Sequence, residues 1–235
     1  MRLVVDLQAC QTDSRDRGIG RYAMSLVQAI ATALGECDEL IVAIDMAGGD
    51  RARDVRRALR DRGVGAKVVG YGYPTTPCTD GSPAARTVAG QLRARFYLSL
   101  RPDVLLVSSL FETGRCWSSE LDWDALRGIP TAVVGYDVIP LIFPRRYLPE
   151  GHFVTDWYRA RLEDLRKFDL VLSISEATKR DLASHVGAEG PRIEVIGAGF
   201  DETLVCMRDA TLGKQRLREL GITKPFVLMV GNGDW

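Results

Sequence analysis

The feature that most constrains this chain is a series of short, continuous apolar runs, rich in β-branched residues, set between longer stretches of helical period. The runs are Leu3–Leu7, Leu40–Ile44, Ala66–Val69, Val104–Val107, Thr131–Val134, Leu170–Ile174 and Ile193–Ile196. A strand that is apolar at every position, rather than at alternate ones, is covered on both faces, which is the condition of a parallel sheet between layers of helix. The helical stretches are Arg21–Leu34, Asp50–Arg62, Thr87–Leu100, His152–Lys167 and Glu176–Val186. In the first, Tyr22, Leu26, Ala29, Ile30 and Ala33 recur on one face. Ser175 stands where it would cap the last. The expected fold is therefore α/β, a Rossmann-like, mostly parallel sheet flanked by helices. Ligands in such sheets sit at the carboxyl ends of the strands, which directs attention to residues 8–20, 108–121, 135–150 and 173–176.

After Ile196 the pattern changes. Gly197-Ala198-Gly199-Phe200-Asp201 reads as a turn, and a polar stretch with a helix at Lys214–Leu220 leads to a strand at Phe226–Val230, closing on Gly231-Asn232-Gly233. A strand ending on glycines is how an α/β domain begins. The expected organisation is a domain over 1–200, a linker and helix over 201–224, and the first strand of a second domain over 225–235.

The formal net charge is zero, so nothing global points to nucleic acid. Residues 51–101 nevertheless carry eleven Lys/Arg against three acids, which suggests either an anionic partner or two solvated helix faces. The five cysteines are scattered and never spaced C-x-x-C, and His152 and His185 are the only histidines. That pattern argues for reduced thiols in a cytoplasmic setting and against a zinc site. No run approaches the ~20 apolar residues of a membrane span, and none at the start reads as a signal peptide.

Gly18-Ile19-Gly20-Arg21-Tyr22-Ala23 opens the first helix. Glycines let backbone approach a ligand, and amides at a helix N-terminus favour an anion such as a diphosphate. The same residues fit G-x-G-x-x-A, with Asp45 closing the second strand where a ribose-binding acid would stand, as in a nicotinamide-dependent oxidoreductase. In that fold the glycines follow the first strand directly, whereas ten residues, Gln8 to Arg17, intervene here. The loop is long enough to reach over a cleft. Anion contact, a plain surface turn and a dinucleotide site stand in that order.

The loop Arg17–Tyr22 resembles the N-terminal signature of bacterial retaining glycosyltransferases of family 4, which have the GT-B fold. Tyr136-Asp137-Val138-Ile139-Pro140-Leu141, Ser173-Ile174-Ser175-Glu176-Ala177-Thr178, Ile193–Asp201 and Phe226–Asn232 follow in the family's order. The resemblance implies transfer of a hexose, with mannose from GDP-mannose as the candidate, onto a glycan or lipid-linked acceptor in surface-polysaccharide synthesis. It implies no cofactor besides the nucleotide-sugar, and no metal. Such enzymes hold the nucleotide in a C-terminal domain with an E-x7-E pair, so this chain alone is expected to be inactive. Carried onto these residues, the family pattern puts the donor diphosphate at Gly18, Ile19, Gly20 and Arg21. It puts the catalytic region at Asp137 and Tyr136. Many relatives have His before that Asp, and this chain has Tyr136. In a retaining reaction the departing phosphate takes the acceptor proton, which leaves Asp137 to orient or to brace its loop. Ser175 and Glu176 fall on the acceptor side, although helix capping and dipole compensation account for both. Should the chain not continue into a donor-binding domain, the alternative is a non-catalytic interaction module or subunit.

Glu112 and Glu120 form a second E-x7-E, displaced into the first domain; Glu112 is expected to line the acceptor cleft with Phe111 as an apolar platform. Asp122-Trp123-Asp124 matches a metal-binding D-x-D but is explained by helix capping. Residues 83–101, with Arg86, Arg93, Arg95 and Arg101 around Leu92, Phe96, Tyr97, Leu98 and Leu100, suit peripheral contact with the inner face of the cell membrane. An ordinary buried face with snorkelling arginines explains them as well.

Overall fold

The computed structural model describes residues 1–73, 82–112, 119–187, 189–199 and 210–228. The chain divides into two compact units, Met1–Ala198 and Gly199–Trp235.

The first unit is built on a sheet of seven strands: β1 (Arg2–Asp6), β2 (Glu39–Asp45), β3 (Lys67–Tyr71), β4 (Val104–Val107), β5 (Thr131–Gly135), β6 (Leu170–Ser173) and β7 (Arg192–Val195). Every pairing is parallel, in the order β3-β2-β1-β4-β5-β6-β7. The helices are α1 (Gly18–Ala33), α2 (Asp50–Asp61), α3 (Pro83–Ser99), α4 (Trp123–Leu126), α5 (Ile139–Ile142), α6 (Pro144–Tyr147), α7 (Phe153–Leu165) and α8 (Glu176–Val186). In β1 successive side chains enter different cores. Leu3 and Val5 pack with Val27 of α1 and Val55 and Leu59 of α2. Val4 packs on the opposite side with Tyr97 of α3, Leu165 of α7 and Leu182 of α8. Helices α1 and α2 thus lie on one face and α3, α7 and α8 on the other, as right-handed crossovers require when the chain reverses its direction of travel across the sheet.

Local chemistry sets the helix ends. Ser82 accepts from the Ala85 amide and Pro83 follows it, so α3 begins earlier than the apolar period indicated. Ser175 accepts from the Thr178 amide as expected, and Gly187, at φ +81°, ends α8 where a side chain would be strained.

One expectation fails in the core. Arg93 and Tyr97 do not belong to a surface-binding face of α3. Both are fully buried, and the Arg93 guanidinium contacts Asp6 at 2.5 Å and donates to Tyr97 Oη at 2.7 Å. Tyr97 in turn donates to Asp6, whose other carboxylate oxygen accepts the Gln8 amide at 2.8 Å. The Arg93 side chain therefore neither snorkels nor reaches a membrane: it neutralises an acid at the end of β1. Nor is any described helix long and apolar enough to cross a membrane.

In the second unit α9 spans Ala210–Glu219, starting ahead of the expected Lys214. Of the strand expected at Phe226–Val230, residues 226–228 form no strand, and Phe226, Val227 and Leu228 are exposed; positions 229 and 230 lie outside the described residues. A strand is stabilised by a partner's ladder, and none of the described strands belongs to this unit.

Candidate functional site

The carboxyl ends of the seven strands form one edge of the sheet, and the order of connection reverses between β1 and β4. Loops leaving those two strands diverge, which opens a crevice there. Residues after β1 fold back into this crevice instead of reaching over it: Gln8 to Thr12 are buried, with a 3-10 turn at Gln8–Cys10. Gln11 anchors the segment with two bonds of 2.7 Å, donating to the Asp45 carbonyl and accepting the Asp45 amide. Arg51 of α2 donates to the Gln11 carbonyl at 3.0 Å. The Cys10 thiol, aimed at the Gly20 carbonyl at 3.3 Å, is pushed up to about 12 by burial, then by Glu112.

The glycines serve two different purposes. Both lie inside the first turn of α1, which starts at Gly18 rather than Arg21. A Cβ on Gly20 would stand 2.5 Å from the Arg15 Cα and carbonyl oxygen, and its amide donates to the Ser14 carbonyl at 3.0 Å. Gly20 is glycine because another segment of backbone crosses it, so its amide is not available to a diphosphate as expected. Gly18 has open space around the same position and is exposed, with Ile19 half-buried and Arg21 exposed beside it. Gly18 and Ile19 carry the other amides of this turn, with Arg17 and Arg21 on either side.

Asp45 cannot act as a ribose-binding acid. It is fully buried, and one oxygen accepts the Ala47 amide at 2.8 Å. Burial pushes its carboxyl up to about 6, partly opposed by the Ala47 amide and Arg93. Between the ordinary carboxylate range and that value the folded chain holds a proton that the unfolded chain has released. This contribution to stability is complete at low pH and is lost as pH rises toward 6. Relative to the native chain, Asp45→Asn is expected to gain about 1–2 kcal/mol between pH 4 and pH 7. Urea denaturation at both pH values measures it, and a difference independent of pH would contradict this assignment.

Tyr136 ties four elements together. Its hydroxyl faces the Ser108 carbonyl at 3.1 Å and the Ile19 carbonyl at 3.4 Å, while its own carbonyl accepts from Thr178 Oγ1 at 2.9 Å. The ring meets Tyr22 edge-on at 5.5 Å, and Tyr22 donates to the Gly197 carbonyl at 2.7 Å. Burial drives the Tyr136 phenol well above its ordinary value, so it acts as a donor and positions the glycine turn. Asp137 is exposed, and one oxygen accepts the Ile139 amide at 3.0 Å, which braces the start of α5.

Phe111 and Glu112 follow β4 into the crevice and part there. Phe111 stacks on Tyr158 at 4.8 Å and meets Trp157 at 6.5 Å. Glu112, expected to line an open cleft, turns inward: it is 2% exposed and accepts from Thr12. Burial raises its pKa against the pull of Thr12, Ser109 and Ser14. The carboxylate serves to hold the loop after β1 against the loop after β4. Ser175 and Glu176 stand beyond β5, the first as the cap of α8 and the second exposed in its opening turn. They share the edge with Phe111 and Glu112 and are separated from them by a strand.

The remaining motifs have structural roles. Asp122 caps α4 by accepting the Ala125 amide at 3.1 Å, and Asp124 pairs with Arg127 at 2.9 Å. His152 caps α7. A groove of about 700 Å³ that includes Asp122 and Trp123 reaches Thr131 and Asp169, at the opposite end of β5 and β6 from the crevice.

A parallel sheet of this order, with helices on both faces, is a doubly wound α/β domain, a class in which ligands lie at the carboxyl edge of the sheet. Residues 17–204 match the model of Glycosyltransferase Family 4, and the chain belongs to that family. It is 26% identical over 206 residues to the serotype-specific mannosyltransferase WbdA of Escherichia coli, covering 86% of this chain and 24% of that protein. Among solved structures it resembles Anabaena Alr3699/HepE in complex with UDP and glucose, with TM-score 0.51, 14% identity, and coverage of 94% of this chain and 50% of that one. The UDP-GlcNAc 2-epimerase of Neisseria meningitidis bound to UDP-GlcNAc gives TM-score 0.50 at 14% identity, covering 95% of this chain and 55% of that one. The fold is that of the N-terminal half of a GT-B enzyme. The chain spans about half the length of these structures and about a quarter of WbdA.

Proposed function

We propose that this chain forms the acceptor side of a retaining, nucleotide-sugar-dependent hexosyltransferase, with mannose as the transferred sugar and a glycan as acceptor. The observation that supports it most is the carboxyl edge of the sheet beside β1, where the first turn of α1 places the exposed Gly18 and half-buried Ile19 beside Arg17 and Arg21. This is suitable chemistry for the diphosphate of a donor held by a second nucleotide-binding domain. Asp137, exposed at the end of β5, orients the acceptor hydroxyl with the oxygen that does not brace α5, and the leaving phosphate takes the proton. Tyr136 positions both elements. The choice of mannose rests on the similarity to WbdA. Surface-polysaccharide synthesis and a cytoplasmic site follow from the same reading.

The test is a transfer assay on the protein expressed from its full reading frame, with GDP-mannose, UDP-glucose and UDP-GlcNAc in separate reactions and oligomannosides as acceptors. Addition of one hexose from GDP-mannose, with an α-linkage by NMR, is the expected result. Addition from another donor would overturn the assignment of mannose, a β-linkage the retaining course, and no addition from any donor the transferase reading. Residues 1–235 alone are expected to transfer nothing; turnover by them would remove the need for a second domain.

A lipid-linked acceptor has one specific support. Ile139, Ile142 and Phe143 are exposed next to the exposed Arg145 and Arg146, at the sheet edge that carries Asp137. An apolar surface flanked by cations suits the boundary of an anionic bilayer, and this segment replaces 83–101 as the surface for it.

A further inference from the structure

Among the described strands, β7 lies at the edge of the sheet and pairs with β6 alone. The first unit ends just beyond it: the Ile196 amide donates to the Ser173 carbonyl at 2.9 Å, and the unit closes at Ala198. An edge strand of four residues holds its last residues weakly, since ladder bonds reach it from one side.

A side chain from a distant segment fixes this exit. The Tyr22 hydroxyl of α1 donates to the Gly197 carbonyl at 2.7 Å. Gly197 has φ +72°, and a Cβ built on it would meet nothing within 4 Å. Space does not demand a glycine there; the left-handed backbone does, and in that conformation its carbonyl meets the α1 hydroxyl. Tyr22 is itself placed by packing. Its ring lies edge-on to Tyr136 at 5.5 Å, and Tyr136 Oη faces the carbonyl of Ile19, three positions before Tyr22 on the same face of α1. The exit of the chain, Tyr22, Tyr136 and the opening turn of α1 thus form one connected series within the first unit.

We infer that Tyr22 is a positioning residue for transfer: it ties the exit of the first unit to the helix whose opening turn carries Gly18 and Ile19. The inference rests on the transferase reading for its effect on turnover, and on the contact with Gly197 alone for its effect on the exit. On that reading the chain beyond Ala198 tethers the nucleotide-binding domain. A tether that starts from a fixed point raises the effective concentration of donor at the α1 turn, and a loosened start lowers it. Since the nucleotide is held by the other domain, the effect falls on kcat rather than on KM for the donor.

Tyr22→Phe keeps the ring beside Tyr136 and removes the hydroxyl. In the 235-residue chain the readout is hydrogen exchange at the Ile196 amide, followed by NMR. The control is the Leu34 amide, which donates to the Ile30 carbonyl at the far end of α1. Loss of one hydrogen bond is expected to speed exchange at Ile196 about threefold to tenfold and to leave Leu34 within about twofold. Unchanged exchange at Ile196 would overturn the inference. An equal rise at Leu34 would overturn it as well, by showing a general loss of stability. In the protein expressed from its full reading frame, the same substitution is expected to lower kcat for sugar transfer about threefold to tenfold, with KM for the donor within about twofold. Faster exchange beside an unchanged kcat would refute the role in transfer, and so would a rise in KM alone, which marks a donor contact. If the unsubstituted protein transfers no sugar from any donor, the transferase reading fails, and exchange at Ile196 still decides whether Tyr22 holds the exit.

Discussion

Asp6→Ala is expected to destabilise the domain by about 3–5 kcal/mol, because it strands the Arg93 guanidinium in the core without its counter-charge. The two side chains are 1% and 0% exposed, so solvent does not screen the loss. Among the described partners that would remain, Tyr97 offers Arg93 a neutral oxygen and the Glu120 carbonyl lies at 3.4 Å. Neither carries a negative charge. Arg93→Met is expected to cost a similar amount by leaving Asp6 with neutral donors. The double variant Asp6→Ala/Arg93→Met should cost clearly less than the sum of the two, since a buried pair replaced as a whole leaves no uncompensated charge. Urea denaturation followed by circular dichroism gives all three values. A loss of about 1 kcal/mol or less for Asp6→Ala, the scale of a surface pair, would show that the pair is not the core element described above.

Gly20→Ala should be the most damaging small substitution in the site. Two effects compete. Alanine improves helix propensity over glycine by about 1 kcal/mol in a helix interior, and by less in the first turn. Against this, the new methyl would lie 2.5 Å from the Arg15 backbone, where no side chain can swing away. Overpacking of this kind costs about 1–3 kcal/mol, and contact with rigid backbone puts it at the upper end, so the clash wins. Relief requires the 12–17 segment to move, which pulls Thr12 from Glu112 and disturbs the approach to the first turn of α1. The expected outcome is a net loss of about 2 kcal/mol together with loss of transfer in the full-length protein. Gly18→Ala is the control, since it meets open space and should change stability by only a few tenths of a kcal/mol. Equal stability of the two variants would refute the packing role given to Gly20.

The transferase assignment itself draws on more than the fold. A similar fold occurs in a structure holding UDP and glucose and in an epimerase holding UDP-GlcNAc, so the architecture does not say what is done to a ligand. What narrows the function is the family match over residues 17–204.

The sequence by itself determined the architecture. Seven uninterrupted apolar runs between amphipathic stretches admit few arrangements besides a covered parallel sheet, because unalternated strands must be buried on both faces. All seven strands were legible for that reason, as was the Ser175 cap, whose chemistry is local. The ordered motifs also identified the family. The short helices α5 and α6 were not legible, since one helical turn carries too few residues to show a period, whereas α4 was betrayed by its Asp122 cap.

Only the tertiary structure decided which polar residues face a ligand and which face each other. Arg93 reads in the sequence as one arginine among several on a basic helix. It is buried because Asp6, eighty-seven positions earlier, ends the strand beneath it. Gly20 reads as a ligand-binding glycine, and its amide is occupied because the chain from Ser14 to Arg15 crosses it. Glu112 reads as a cleft residue and is turned inward by Thr12, a hundred positions away. Burial and pairing are set by contacts between segments far apart along the chain, and no local pattern encodes them.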